Sequence, residues 1–312
     1  MHAAFERDVR TGLTADRKRL SSRFLYDAPG SELFDEITRL EEYYPTQAEI
    51  SILERIAPKL AGGVPDSLEL VELGGGSGEK TARIIRSLLE SRDSLPFTAI
   101  DISKGALVGS ADELLASHPG LELTAIAAEY QDGLAELAQS HERARLLIWL
   151  GSSMGNFTRE EASAFIRSVR NALTDEDLFL IGVDLRKDRD VLERAYDDSK
   201  GVTARFNRNL LERINRELGG RFDIATFRYV ARYLEDEGVV RMYLESTVAQ
   251  TVRIEGLELD VSFEAGERIH TEDSFKYSIE EIDELASDSG LRVVNRWLDV
   301  GKRFSLNLLA RA

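Results

Sequence analysis

From Leu68 onward, short apolar runs alternate with segments whose apolar residues recur every three or four positions, the pattern of a parallel sheet with crossover helices. LELVEL (68–73) predicts the first strand, and EKTARIIRSLLESR after it sets Ala82, Ile85, Leu88 and Leu89 on one helical face. FTAIDIS (97–103) and LELTAIAAEY (121–130) predict the second and third strands. ARLLIWLGSS (144–153) is almost wholly apolar, as befits a strand buried on both faces. A capping box, Thr158 with Glu161, opens the next helix, which turns Phe165, Ile166 and Val169 inward, and LFLIGVDL (178–185) is the fifth strand.

There the alternation stops. Residues 188–220 read as polar-faced helix, and FRYVARYLED, VVRMYLESTVAQTVRI and LELDVSF read as antiparallel strands. Alternation resumes at YSIEEIDELASDSG, with a capping box at Ser278 and Glu281 and a C-terminal glycine at Gly290, and the chain ends in two strands that suggest a hairpin. The expected architecture is α/β: a seven-stranded doubly wound, Rossmann-like sheet over 51–186 and 277–312. A second, smaller α+β domain is expected over 1–50 and 187–276, because the aromatic-rich first fifty residues fall outside the sheet pattern.

Composition narrows the function. The 312-residue chain carries a formal charge of −16 and a pI near 4.9, which disfavours a nucleic-acid partner. No cysteine is present, so disulfides, thiolate catalysis and Cys-based zinc sites are excluded. His2, His118, His141 and His270 lack metal-ligand spacing, and no metal is expected. The first residues do not read as a secretory signal and the longest apolar runs are strand-sized, so a cytoplasmic protein without a membrane partner is expected. A monomer is the default.

VELGGGSGEKT (71–81) selects the cofactor class. A P-loop would need Gly-Lys-Thr, but Glu79 separates Gly78 from Lys80 and would set a carboxylate against a phosphate. A dinucleotide turn would need G-x-G-x-x-G, whereas Gly74, Gly76 and Gly78 read G-x-G-x-G. S-adenosyl-L-methionine, which has a ribose and a sulfonium but no phosphate, remains. Asp101 closes the second strand where an acid accepts ribose hydroxyls in this architecture. The alternative is a plain tight turn with Asp101 as a helix N-cap.

YDAPGSELFDEITRLEEYYPTQAE, ELGGGSGEKT, WLGSSMGNFT, RAYDDSKGVTARFNRN and IHTEDSFKYS together resemble the S-adenosylmethionine-dependent L-histidine Nα-methyltransferase family of ergothioneine biosynthesis, from about Phe24 to the end. The resemblance implies three successive methyl transfers to the α-amine of L-histidine, giving hercynine. It implies that Asn156 and Tyr196 grip the substrate carboxylate, and that Glu272 and Ser274 read the imidazole. Tyr43 would close over the ring, with Phe34 and Met242 lining the pocket. On the cofactor side it implies Gly74, Lys80 and Asp101, with Glu129 and Tyr130 at the adenine and Tyr26 near the methionine end. Glu-Tyr stands where the family often has Asp-Phe, and Glu41 where it commonly has proline. Taken alone, Met242 reads as a core strand residue and HTEDS as a solvated loop.

Methyl transfer from a sulfonium is an in-line displacement, so Asn156, Tyr196 and the Gly151 carbonyl are expected to orient the amine, and no His or Lys stands out as a base. The competing readings are a methyltransferase for another amino acid, such as tryptophan, and a non-catalytic S-adenosylmethionine-binding protein. Glu272 argues against the first, since a carboxylate left unpaired beside an apolar ring is costly.

Overall fold

The computed structural model describes residues 2–75, 78–139 and 143–312. Gly76 of the glycine turn and His141 lie outside the described residues. The chain forms two compact units, one of Pro45–Arg186 and Tyr277–Ala312, the other of Met1–Tyr44 and Lys187–Lys276. The boundary expected at residue 50 falls inside a continuous helix, Tyr44–Gly62.

Strands β1 (Glu69–Leu73), β2 (Leu95–Asp101), β3 (Leu121–Ala127), β4 (Arg145–Trp149) and β5 (Leu178–Asp184) are parallel. In the other unit the chain forms β6 (Phe227–Leu234), β7 (Val239–Ser246), β8 (Gln250–Ile254), β9 (Leu259–Phe263) and β10 (Arg268–Phe275). It then returns with β11 (Leu291–Leu298) and β12 (Phe304–Arg311). The large sheet has the order β11-β12-β5-β4-β1-β2-β3, and β12 runs antiparallel to both of its neighbours. Every residue of the central β4 is buried, whereas the edge strand β3 is largely exposed. This is the seven-stranded α/β sheet that the apolar alternation predicts.

Several boundaries differ from the sequence pattern for local reasons. β3 stops at Ala127 because Glu129 is already the N-cap of the helix Tyr130–Leu137. The expected helix over 188–220 is two helices, Arg189–Tyr196 and Val202–Leu218. Asp198 divides them, its carboxylate accepting the N–H groups of Val202 at 2.9 Å and Thr203 at 2.8 Å. VVRMYLESTVAQTVRI is likewise two strands, β7 and β8. In the smaller unit β10-β7-β6 form one antiparallel sheet and β8-β9 a ribbon. β10 does not show in the sequence as a strand, because its buried positions include Thr271, Glu272 and Ser274 rather than an apolar alternation. Among the described residues no helix is long and apolar enough to cross a membrane, and no group of His, Asp and Glu could hold a metal ion.

A buried ion pair locks the far end of the large sheet. Arg145 donates to Asp177 Oδ2 at 2.8 Å and to the carbonyls of Leu137 and Ala172, while Asp177 Oδ1 accepts the Arg145 N–H at 2.7 Å. Asp177→Ala strands the guanidinium out of water, and is expected to cost about 3–5 kcal/mol of stability, read as a lower melting temperature in calorimetry.

Candidate active site

In the sheet unit the expected cofactor positions Gly74, Lys80, Asp101, Glu129 and Tyr130 follow the carboxyl ends of β1, β2 and β3, the edge at which open parallel sheets bind ligands. β1 leads into Gly74, whose φ of 76° is left-handed and whose N–H donates to the Ile100 carbonyl at 2.8 Å. A Cβ at Gly74 would lie 2.5 Å from Tyr130 Oη, so only glycine fits. Asp101 ends β2, and its Oδ1 accepts the Ser103 N–H at 2.8 Å, a turn ahead of the helix that starts at Lys104, so Asp101 is not itself the helix N-cap. Glu129 is exposed at its helix N-cap. Its neighbour Tyr130 turns inward, edge-on to Trp149 at 5.9 Å and tilted on Phe165 at 5.7 Å. Burial, with Asp101 nearby, pushes the Tyr130 phenol up to about 12.

Lys80 leads to a residue the motif reading missed. Its Nζ donates to Glu49 Oε2 at 2.8 Å, and the Gly151 N–H reaches both Glu49 oxygens at 2.9 and 3.0 Å. Glu49 is fully buried on the helix Tyr44–Gly62. It approaches β5 so closely that a Cβ at Gly182 would lie 2.0 Å from its Oε1. Its signal in the sequence is an acid on an apolar stripe, since Ile52, Leu53, Ile56 and Leu60 follow at helical spacing and are all buried. Glu72 of β1 is also buried and accepts the Thr81 hydroxyl, and desolvation raises its carboxyl to about 7. With Glu49, Glu72 and Asp101 on these elements, this end of the sheet suits a ligand bearing hydroxyls and a positive charge, and opposes a phosphate. Gly151 has a φ of 79° and leads into a short turn, Ser153–Asn156, with Asn156 exposed at its end.

The smaller unit brings together the residues expected to read the substrate. A bulge in β10 between His270 and Glu272 shifts the register against β7. After it, simple alternation sets Glu272, Ser274 and Lys276 on one face, and all three are buried. Met242 of β7 pairs directly with Glu272 and is fully buried. Ser274 Oγ lies 2.8 Å from Tyr196 Oη, at the end of the helix Arg189–Tyr196. Lys276 Nζ donates to both hydroxyls at 2.7 Å. The Tyr196 carbonyl in turn accepts the Tyr229 hydroxyl at 2.7 Å.

Aromatic rings continue from this polar floor. Tyr43 meets Tyr196 edge-on at 5.9 Å and Phe34 at 6.4 Å, and Phe34 meets Tyr26 at 5.4 Å. Phe206, absent from the sequence reading, packs on both Tyr26 and Phe34. Tyr44 lies next to Tyr43 in sequence. It is buried and begins a helix, with Pro45 in the first turn where its missing N–H costs nothing.

Residues 5–311 match the family model described as histidine-specific methyltransferase, SAM-dependent. A curated relative, the histidine N-alpha-methyltransferase of Mycolicibacterium smegmatis, is 40% identical over 309 residues, covering 99% of this chain and 95% of the relative. The ergothioneine biosynthesis protein 1 of Neurospora crassa is 31% identical over 298 residues, 95% of this chain but 33% of that longer protein. Among solved structures, the magnesium protoporphyrin IX methyltransferase of Synechocystis with bound SAH superposes with a TM-score of 0.51 at 12% identity, over 93% of this chain and 97% of that one. That likeness is one of fold.

Two outcomes follow from this geometry. Gly74→Ala forces a left-handed alanine against Tyr130, a strain of about 1–3 kcal/mol, and is expected to weaken S-adenosylmethionine binding at least tenfold by calorimetry. The second concerns Glu272, whose carboxyl is raised by burial, against an opposing pull from Lys276, from 4.5 to about 8. The folded state therefore holds this proton up to higher pH than the unfolded chain does, and the stability it contributes below pH 4.5 is lost as pH rises towards 8. Glu272→Gln removes that loss. Melts of the ligand-free variant should match wild type near pH 4.5 and exceed it above pH 8 by up to a few kcal/mol, and parallel curves would refute the assignment.

Proposed function

The chain belongs to the family of S-adenosylmethionine-dependent, histidine-specific methyltransferases, and on that premise we propose that it methylates the α-amine of L-histidine three times, giving hercynine, the first step of ergothioneine biosynthesis. The observation that carries this reading is the polar face of β10, where Glu272 and Ser274 are buried beside Tyr196 under a set of aromatic rings. A buried carboxylate needs a hydrogen-bond donor, and an imidazole N–H supplies one, whereas a purely apolar ring leaves it unpaired.

We assign Glu272 and Ser274 to the imidazole, Tyr43, Phe34 and Met242 to the walls around it, and Tyr196 to the carboxylate. In the sheet unit we assign Asn156 to the substrate carboxylate and the Gly151 carbonyl to the reacting amine. Gly74, Lys80, Asp101, Glu129 and Tyr130 are assigned to the cofactor, and Tyr26 to its methionine end. Glu49 joins them as the group that holds Lys80 and the Gly151 amide. S-adenosylmethionine, when bound, supplies an electrophilic methyl group on its sulfonium. The chain's own contribution is alignment of the amine lone pair with that methyl, and positioning of this kind supplies at best roughly 7–11 kcal/mol. The α-ammonium must first lose a proton, and deprotonation to water with the amine held by neutral groups meets that need. We further propose that the protein acts as a cytoplasmic monomer without nucleic-acid partners, in keeping with its charge of −16.

The test is mass spectrometry of an incubation with S-adenosylmethionine and all common amino acids, repeated with Glu272→Ala. Histidine alone should gain three methyl groups, and the variant should lose at least about tenfold in kcat/KM for histidine. Methylation of tryptophan in preference would overturn the substrate, and cofactor binding with no methylation would favour a binding protein.

A further inference from the structure

Lys276 is fully buried and has no part in the function as assigned above. An ammonium taken out of water is expensive unless its surroundings use it. Its place is specific: third in the row Glu272, Ser274, Lys276 on one face of the chain, with Nζ 2.7 Å from both the Ser274 and Tyr196 hydroxyls and 4.5 Å from the centre of the Tyr196 ring. An ammonium can only donate, so both hydroxyls must accept from it and neither gives it a proton. Among the described residues, the charged and titratable groups that act on Glu272 are Asp273 from its own strand and Lys276 just past its end, with Tyr229 facing it from β6. Tyr196, Asp197 and Asp198 surround Tyr229 in turn. Asp273 is engaged elsewhere, by His270 Nε2 at 2.9 Å and Arg241 Nε at 2.8 Å. Lys276 is thus the cation that offsets the burial of Glu272.

We propose that Lys276 is a positioning residue for the substrate ring: it lowers the cost of ionising Glu272, so that the carboxylate can serve as the ring's acceptor, and it holds Ser274 and Tyr196 as hydroxyls whose protons are directed away from the ammonium. Ser274 and Tyr196 share one hydrogen bond, so one of their two protons is left to donate, and a site with one carboxylate acceptor and one hydroxyl donor matches a neutral imidazole, which offers one N–H and one bare nitrogen. An indole offers the N–H without the bare nitrogen. This inference rests on the histidine reading and deepens it by naming what sets the polarity of the ring-reading end.

The experiment measures KM and kcat for histidine between pH 6 and 9.5 at saturating S-adenosylmethionine, for wild type, Lys276→Met, Lys276→Arg and Glu272→Gln, with cofactor affinity as the check on folding. Titration of histidine itself is common to all four, so the differences between them carry the result. In wild type KM should rise as pH falls and Glu272 takes up a proton. Lys276→Met should move that rise to higher pH by about one unit and raise KM near neutrality about tenfold, with kcat at saturation changing much less. Lys276→Arg should keep the wild-type pH position, and Glu272→Gln should lose the Glu272-dependent part of the rise. A Lys276→Met profile superposing on wild type, with cofactor affinity intact, overturns the proposal. Should that variant not fold, a Glu272→Gln profile that keeps the wild-type pH dependence overturns it equally. A wild-type enzyme that does not methylate histidine refutes the functional reading beneath it, a result distinct from either.

Discussion

Glu49 is fully buried, and its charge is met by Lys80 Nζ at 2.8 Å and by the Gly151 N–H at 2.9 and 3.0 Å. A carboxylate out of water must be satisfied in this way or protonated, and the need ties three segments of the sheet unit to one point. The helix Tyr44–Gly62 supplies the acid, the helix after the glycine turn supplies the ammonium, and the loop after β4 supplies the amide. The elements assigned to the cofactor and to the reacting amine are therefore held by one buried charge. Gly182 is part of the same constraint, since any side chain on β5 at that position would occupy the space of the Glu49 carboxylate.

The smaller unit obeys the same rule with a different outcome. Glu272 has a fully buried lysine four residues further on, and burial pushes its carboxyl up to about 8. A carboxylate so poorly solvated is a natural place for a ligand N–H to bind, because the ligand restores what burial removed. Stability and recognition pull against each other here. The ligand-free fold carries an acid that is costly to ionise, and occupation of the pocket offsets that cost.

Much of the site was legible because the blocks that carry it are specific. The glycine turn and Asp101 could be placed by residue type and spacing, the IHTEDSFKYS segment only by family resemblance, and the structure sets Glu272, Ser274, Tyr196, Tyr43, Phe34 and Met242 in one unit. What escaped were residues whose meaning depends on what lies across from them. Glu49 reads as one more acid in an acidic chain until its neighbours on the apolar stripe are counted. Lys276 reads as a solvated lysine until the alternation from Glu272 is followed past the bulge. Phe206 sits on a helix at ordinary core spacing, and nothing local reveals that it meets Tyr26 and Phe34.

By itself the sequence determined the sheet, because strands buried on both faces and helices with one apolar stripe leave a periodic record in the chain. It also determined the ligand class, since Glu79 within the glycine turn works against phosphate. The tertiary structure decided the polar interior: which acids lose water, which lysines neutralise them, and where β10 lies. Charged and hydroxyl residues have the same local signature in a solvated loop and in a buried strand. Only the packing of other segments against them sets the desolvation that turns them into a site.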